Sequence, residues 1–287
     1  MFATLLGPLP RPPLPPDASP GALVLAVLAA QEAAGLEPLI DGGSWGDRPA
    51  LEAWRATAAL TGRSVKQVVL GPVSAGGDDA LTEALRLNEI MRALADAGCP
   101  LIEIQEPALA SIGPDPAAWE RFAAAHAVLT DGVTGTHLSL AIIGGAVDPA
   151  GIPVIVAAPY ASLAVDLIAG PENWHLVRAA PGVRGIVCGA VSPLAHSDDG
   201  PETLLWAAAY AASGDGRGPD RVGLATSGSL AGLAWDAALE RLGRLGEAAR
   251  LADLSPDDLR ERLDPRAFTA RTAALGSTTR PGAAPRP

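Results

Sequence analysis

Short runs of β-forming residues alternate along the chain with longer segments whose apolar residues recur at helical spacing. The candidate strands are 4–7, 38–41, 66–70, 101–105, 136–143, 154–158, 185–191 and 221–226. The clearest helical segment between them, 79–97, places its apolar residues on roughly one face. Eight strands separated by helices predict a single α/β domain, a (β/α)8 TIM barrel over residues 1–253. That span is close to the roughly 250 residues such barrels occupy.

Two parts of this prediction have a weaker basis. The segment between Ile143 and Pro153 is too short for a full connecting helix, so the strand–helix alternation is weakest at the fifth and sixth units. An open doubly wound sheet is the alternative fold, but the sequence lacks its Gly-x-Gly-x-x-Gly fingerprint after the first strand. Residues 254–287 are predicted to form a short helical extension and then a Gly- and Pro-rich tail, which we expect to be disordered.

Charge and cysteine content narrow the classes of partner. The chain carries 21 basic and 32 acidic side chains, a formal charge of −11, which disfavours nucleic acid and anionic membranes as partners. Two cysteines make no disulfide framework, so a cytoplasmic location is expected. No apolar run reaches the roughly 18 uninterrupted residues of a membrane span. Neither nucleic acid nor a membrane is therefore expected as a partner, and the oligomeric state stays open.

Polar residues follow several candidate strands at their carboxyl ends, where barrels carry their chemistry. At or near these ends lie Asp41, Ser74, Gln105, Glu106, His137, Ser139, Asp166 and Ser227. Each has a structural alternative: Asp41 before two glycines is typical of a turn, and a strand histidine such as His137 is often a hydrogen-bonded core residue. The Gly-rich turn around Ser227 can bind an anion on its N–H groups or simply begin a helix.

Several of these segments match one known family in order along the chain. IEIQEPAL, residues 102–109, resembles the IxIDEPAL signature of cobalamin-independent methionine synthases. TLLGPLPRP from Thr4, THLSL from Thr136 and ATSGSLAGLAW from Ala225 are similar to further motifs of the catalytic, C-terminal domain of that family. The resemblance implies a barrel of the uroporphyrinogen decarboxylase-like group and methyl-transfer chemistry on a small molecule.

The same resemblance shows where this chain departs from the family. The family binds zinc through a His, two Cys and a Glu, and the matching positions here are His137, Ser139, Asp166 and Ser227. Both thiolates are replaced by hydroxyls, and a neutral serine is a poor zinc ligand. We therefore predict no metal site. The family's contacts to homocysteine are changed as well, because Gln105 stands in place of an aspartate.

These changes lead to the hypothesis of a diverged, zinc-free enzyme of the methyltransferase type. Glu106 or Asp166 would act as the base, His137 as a proton shuttle and Gln105 as a hydrogen-bond donor to the substrate. Further substrate contacts are predicted from Gly7, Asp41, Arg63, Ser74, Ser139 and Ser227. No cofactor is predicted; tetrahydrofolate stays open, because Arg63 lies where the family contacts folate.

Two other hypotheses compete with this one. The simultaneous loss of so many family residues also fits a non-catalytic pseudo-enzyme or a small-molecule-binding regulator. A true 5-methyltetrahydrofolate–homocysteine methyltransferase would need Cys99 or Cys188 to supply a thiolate from elsewhere in the fold.

Overall fold

The computed structural model describes residues 1–43, 49–194 and 200–254, and its regular elements alternate as the sequence predicts. The described residues form seven strands: β1 Phe2–Thr4, β2 Gln67–Leu70, β3 Leu101–Gln105, β4 His137–Ile142, β5 Ser162–Asp166, β6 Gly185–Val191 and β7 Val222–Thr226. Their nine α-helices are α1 Pro20–Ala34, α2 Ala50–Ala58, α3 Pro72–Gly76, α4 Ala80–Asp96, α5 Pro116–Thr130, α6 Ile152–Ala157, α7 Trp174–Ala179, α8 Pro201–Ala212 and α9 Trp235–Leu251.

The seven strands are parallel and form one sheet in the order β1-β7-β6-β5-β4-β3-β2. The gap between β1 and β2 is filled by the segment around Leu39. Leu39 forms a single parallel bridge with Val65, and the Glu37 N–H donates to the Ala3 carbonyl at 2.8 Å. The fold is therefore TIM-barrel-like, while the predicted eight regular strands are not confirmed, because 38–41 contributes only this bridge.

One predicted strand is wrong in type. Residues 154–158 are expected to be a strand from their Val and Ile content, but 154–157 lie in helix α6 and Ala158 is its C-cap. Pro153 occupies the first turn of that helix, a position that proline favours, and Ile155 is buried. The local β propensity is thus overridden by the helix start and by packing. The strand at this place in the sheet is β5, which begins four residues after 158.

Alternation along the strands decides which side chains face the barrel interior. In β3, Ile102 and Ile104 belong to the large core beneath the helices, whereas Glu103 and Gln105 lie on the opposite face. The interior face holds a separate, small apolar cluster, made of Leu6, Ala141, Ala164, Val187 and Ala225. Because three of these five residues are alanines, the side chains on this face do not fill the barrel interior.

The start of helix α5 has the aspartate–proline pair that is typical of a helix N-terminus. Asp115 caps α5 by accepting from the Ala117 N–H at 3.0 Å, and Pro116 is its first residue. Within the described part of the chain, no helix combines the length and apolar character that crossing a membrane requires. Except for Leu254, the predicted C-terminal extension and tail, 254–287, lie outside the described residues.

Candidate functional site

Glu106, the first predicted catalytic residue, is fully buried beside helix α3 rather than facing a cleft. Its carboxylate accepts from the backbone N–H groups of Val73 at 2.9 Å and Ser74 at 2.8 Å, and from the Ser74 hydroxyl at 2.5 Å. His126 Nε2 lies 3.0 Å from its Oε1. A carboxylate with this many partners is a strong stabiliser of its surroundings, and all of these partners belong to the protein.

A buried network extends from Glu106 through His126 to Tyr160. His126 of α5 uses Nδ1 to contact the Tyr160 hydroxyl, and it is fully buried. Burial, with a contribution from the Glu106 charge, holds the pKa of Tyr160 well above its ordinary value, so its phenol stays neutral. This chain of side chains ties β3, α3, α5 and the segment before β5 together.

Asp166 ends strand β5 and is also occupied by the protein. Its Oδ1 accepts from the Ile168 and Ala169 N–H groups, both at 2.9 Å, and its Oδ2 from Gly144 at 3.1 Å. The side chain therefore fixes the turn after β5 and the loop after β4. It lies at the carboxyl end of the sheet, as predicted, although its strand is β5 and not the predicted 154–158.

His137, the predicted proton shuttle, lies at the opposite end of the sheet. It begins β4, pairs with Leu101 and places Nε2 2.8 Å from the Ser162 hydroxyl. Burial lowers the pKa of its imidazole. By strand register it is about five residues below Glu106 and six below Asp166, or roughly 16 and 20 Å along the sheet. The structure does not bring these three side chains together, and their catalytic roles stay predictions.

The other predicted contacts fall into two groups. Ser74 donates to Glu106 and accepts from the Ala108 N–H, so it belongs to the buried network. Arg63 precedes β2 and pairs with Glu37 at 3.1 Å on the surface, at the amino-terminal end of the barrel. Hence neither side chain faces the carboxyl-end opening.

Four further predicted contacts lie at the carboxyl end of the sheet: Gly7, Asp41, Gln105 and Ser227. A Cβ at Gly7, whose φ is +103°, would lie 2.8 Å from the Ser229 nitrogen, so the first loop packs directly on the Ser227 turn. Asp41 accepts from the Gly43 N–H at 3.0 Å, as a turn former does. Ser227 is buried and its N–H donates to Val191. Gln105 and Asp41 are half-buried, and Gln105 extends from the interior face of β3.

Gln105 belongs to a polar cluster inside the barrel, which we call the interior cluster: Lys66, Glu103 and Gln105. Lys66 Nζ lies 2.6 Å from Glu103 Oε2 and 2.7 Å from the Leu5 carbonyl oxygen. Gln105 Nε2 donates to Glu103 Oε1 at 2.9 Å. The side chains of the ion pair are 1% and 3% exposed. Because the carboxylate can only accept, the Gln105 amide must turn its nitrogen inward, which leaves its carbonyl for other partners.

Lys66 and Glu103 were not among the predicted site residues, although a signal for them was present. Each is a charged residue in an otherwise apolar β-forming run, and Glu103 alternates with Ile102 and Ile104. In a strand, this alternation places Glu103 and Gln105 on one face and the two isoleucines on the other. An inward-facing charge needs a partner. The sequence could not show that the partner is Lys66, because that depends on the β2–β3 register.

Ser139, another predicted contact, has a buried hydroxyl that lacks a hydrogen-bond partner within the described part of the chain. It is 2% exposed, and its Oγ is completely enclosed. Its strand places it on the same face as His137 and Ala141, toward the barrel interior. Buried hydroxyls are usually bonded, so this one requires an explanation.

The side chains that the structure describes do not fit a zinc ion. Among the described residues, no group of three or more His, Cys, Asp or Glu side chains is arranged to hold a metal. Cys188 lies 3.8 Å from the Ala207 carbonyl of α8, and Cys99 lies before β3, 3.3 Å from the Leu101 carbonyl. Burial raises the pKa of Cys188 to about 12 and that of Cys99 to about 11. Neither thiol is placed or ionised as a zinc ligand.

We expect both cysteines to be unreactive toward an aromatic disulfide reagent at pH 8 in the folded protein. Only thiolates attack such reagents, and raised pKa values combined with burial leave almost none. Two equivalents should react once the chain is unfolded in guanidinium. Rapid release of one equivalent from the native protein would show that a thiol is accessible, and it would reopen the thiolate-dependent hypothesis.

The fold and interior define the class of protein as a TIM-barrel-like α/β protein with polar groups inside the sheet. No protein-family model matches the chain, and no curated protein matches it by sequence. Its structure resembles a B12-independent methionine synthase from Shewanella sp. W3-18-1 in complex with selenomethionine, with a TM-score of 0.69 and 14% identity over 87% of this chain and 96% of that one.

Two further solved structures resemble the chain. A putative vitamin-B12 independent methionine synthase from Listeria monocytogenes has a TM-score of 0.65 and 12% identity, over 88% of this chain and 98% of that one. An L-ribulose 3-epimerase has a TM-score of 0.55 and 15% identity, over 98% and 100%. At these identities the likeness establishes a methionine-synthase-like barrel fold, and membership of that family does not follow from it.

Proposed function

We propose that this protein is a methionine-synthase-like barrel that acts on a small molecule at the carboxyl ends of its strands without a thiolate-bound zinc ion. The observation that carries the proposal is that no cysteine thiolate is available to bind zinc within the described part of the chain. Serines stand at the two positions where the resemblance expects thiolates, and both cysteines are buried with raised pKa values. Thiol activation by zinc therefore has no support here, and a one-carbon or methyl group would pass from a bound donor to a bound acceptor, with general acid–base catalysis removing the acceptor's proton.

The contacts of Gln105 support a ligand at this end. Glu103 fixes the amide orientation, so a carbonyl acceptor and one N–H are presented from a rigid strand. The loops bearing Gly7 and Ser227 pack together at the same end of the sheet. By contrast, Glu106 and Asp166 use their oxygens for backbone N–H groups, so their proposed part is to hold the loops in place.

A second candidate function is supported by that last observation. A barrel in which Glu106 and Asp166 serve as loop anchors, and in which His137 lies at the other end, could bind a small molecule without transforming it. This non-catalytic protein would share the fold and the ligand site and would differ only in turnover. Observed turnover would favour the enzyme, and saturable binding without turnover would favour the binding protein.

The test is a thermal-shift titration in EDTA with methyl donors and acceptors, including 5-methyltetrahydrofolate, homocysteine and methionine. At least one compound should stabilise the protein saturably, by about 2.7 kcal/mol at a hundredfold excess over Kd, which is several degrees. Gln105→Leu should abolish this shift, and the matched surface variant Leu81→Ala, at a 52% exposed position, should keep it. The proposal fails if no compound stabilises the protein, or if stabilisation requires added zinc.

A further inference from the structure

A cavity of about 270 Å³ enters the barrel from the amino-terminal ends of the strands. Its rim carries exposed side chains at or just before the starts of β4, β6 and β7, namely His137, Val183 and Arg221. Its floor is formed by buried polar residues, namely Thr4, Lys66, Glu103 and Ser139. We call it the amino-end cavity. It opens at the end of the barrel opposite to Asp166 and Ser227.

Small residues on the strands keep this space open. The wall includes Gly185 and Ser162, and the Phe2 ring lies against Gly223, where an added Cβ would come 2.4 Å from the ring. Glycine inside a strand lowers stability and often marks a close approach. Here it lets the Phe2 ring line the cavity, together with other apolar side chains that include Leu101 and Val187.

The Ser139 hydroxyl points to a ligand. It lines the cavity, it is enclosed, and within the described residues it has no hydrogen-bond partner. A buried hydroxyl without a partner costs stability, whereas a ligand oxygen in the cavity would satisfy it. Lys66, which lines the same cavity, uses two of its three N–H groups, on Leu5 and Glu103, so one donor is left.

The charges of the floor decide the chemical class of that ligand. Lys66 and Glu103 neutralise each other at 2.6 Å. A carboxylate or an ammonium group placed there would lose its hydration without gaining a counter-ion, which is unfavourable in a buried site. An uncharged oxygen can accept from Lys66 and bond with Ser139. The apolar wall then covers a compact hydrocarbon body, and the volume lies just below the range typical of drug-sized ligands.

We propose that the amino-end cavity is a ligand site for a small uncharged molecule with one hydroxyl or carbonyl head group and an apolar body of one ring or a short chain. Ser139 and Lys66 recognise the oxygen, and Phe2, Leu101 and Val187 contact the body. The site lies away from the carboxyl-end ligand of the proposed function, and it does not rest on that proposal.

The test compares three probes of nearly the same shape: benzyl alcohol, benzoate and benzylamine. Each is titrated into the full-length protein at pH 7, and its Kd is measured by saturation-transfer NMR. Benzyl alcohol should bind saturably, and the two charged probes at least about tenfold more weakly. Ser139→Ala should weaken benzyl alcohol about fivefold, because one hydrogen bond is lost. Val187→Phe fills the cavity and should abolish binding, while Leu25→Ala, on the outer surface of α1, should leave it unchanged.

Three results would overturn the assignment. The first is that benzyl alcohol shows no saturable binding to the wild type. The second is that Val187→Phe binds it as the wild type does, which would place the probe elsewhere. The third is that benzoate or benzylamine binds at least as well, which would refute the uncharged class. Circular dichroism tests whether each variant is folded. If Val187→Phe does not fold, Ser139→Ala still tests the site, because it removes an unpartnered hydroxyl without adding volume.

Discussion

Glu106→Gln is expected to destabilise the folded state by about 2–4 kcal/mol, because an amide cannot accept from both backbone donors. The carboxylate accepts from Val73 on one oxygen and from Ser74 on the other. In glutamine one of these oxygens becomes an NH₂ group, which faces an N–H donor and leaves it unpaired. Urea unfolding, followed by circular dichroism, measures the loss as a lower midpoint at unchanged slope.

The same substitution at an exposed ion pair provides the control. Glu172 pairs with His175 at 3.3 Å, and both side chains are more than 70% exposed. Glu172→Gln should change stability by no more than about 0.5 kcal/mol. Equal unfolding midpoints for the two variants would mean that Glu106 does not anchor the α3 loop, and its role as a free catalytic base would regain support.

Lys66→Met is expected to cost about 3–5 kcal/mol, since it leaves the Glu103 carboxylate buried without its counter-ion. The double variant Lys66→Met with Glu103→Met should be more stable than Lys66→Met alone, because an apolar pair of similar size can replace a buried ion pair. A double-mutant cycle from the four urea midpoints gives the coupling energy. Losses that simply add would show that the two side chains do not depend on each other.

Much of the fold follows from patterns in the sequence, and the main failure has a local cause. The alternation of Ile102 and Ile104 with polar residues predicts β3 and the faces of its side chains. An aspartate followed by proline is typical of a helix start, and α5 begins with this pair, Asp115 and Pro116. The strand prediction for 154–158 failed because a short run of β-branched residues is compatible with either a strand or a short helix. Only the tertiary position of β5 resolves that choice.

The candidate site was less predictable, because it depends on register and direction. Glu106 and Gln105 are adjacent in the sequence, yet one is buried under α3 and the other lies on the interior face of β3. His137 was expected near Glu106, and the β3–β4 register separates them by about five residues. Polar residues in strands can thus be identified from the sequence, while the groups they form require the strand pairing.

The central claim, that this barrel works without a thiolate-bound zinc ion, is tested most directly by the zinc content of the purified protein. Mass spectrometry should be applied to protein expressed in zinc-supplemented medium and dialysed against EDTA. We expect zinc far below one atom per chain, with circular dichroism and unfolding temperature unchanged by the dialysis. One zinc atom per chain that survives dialysis, or whose removal lowers the unfolding temperature, would contradict the account.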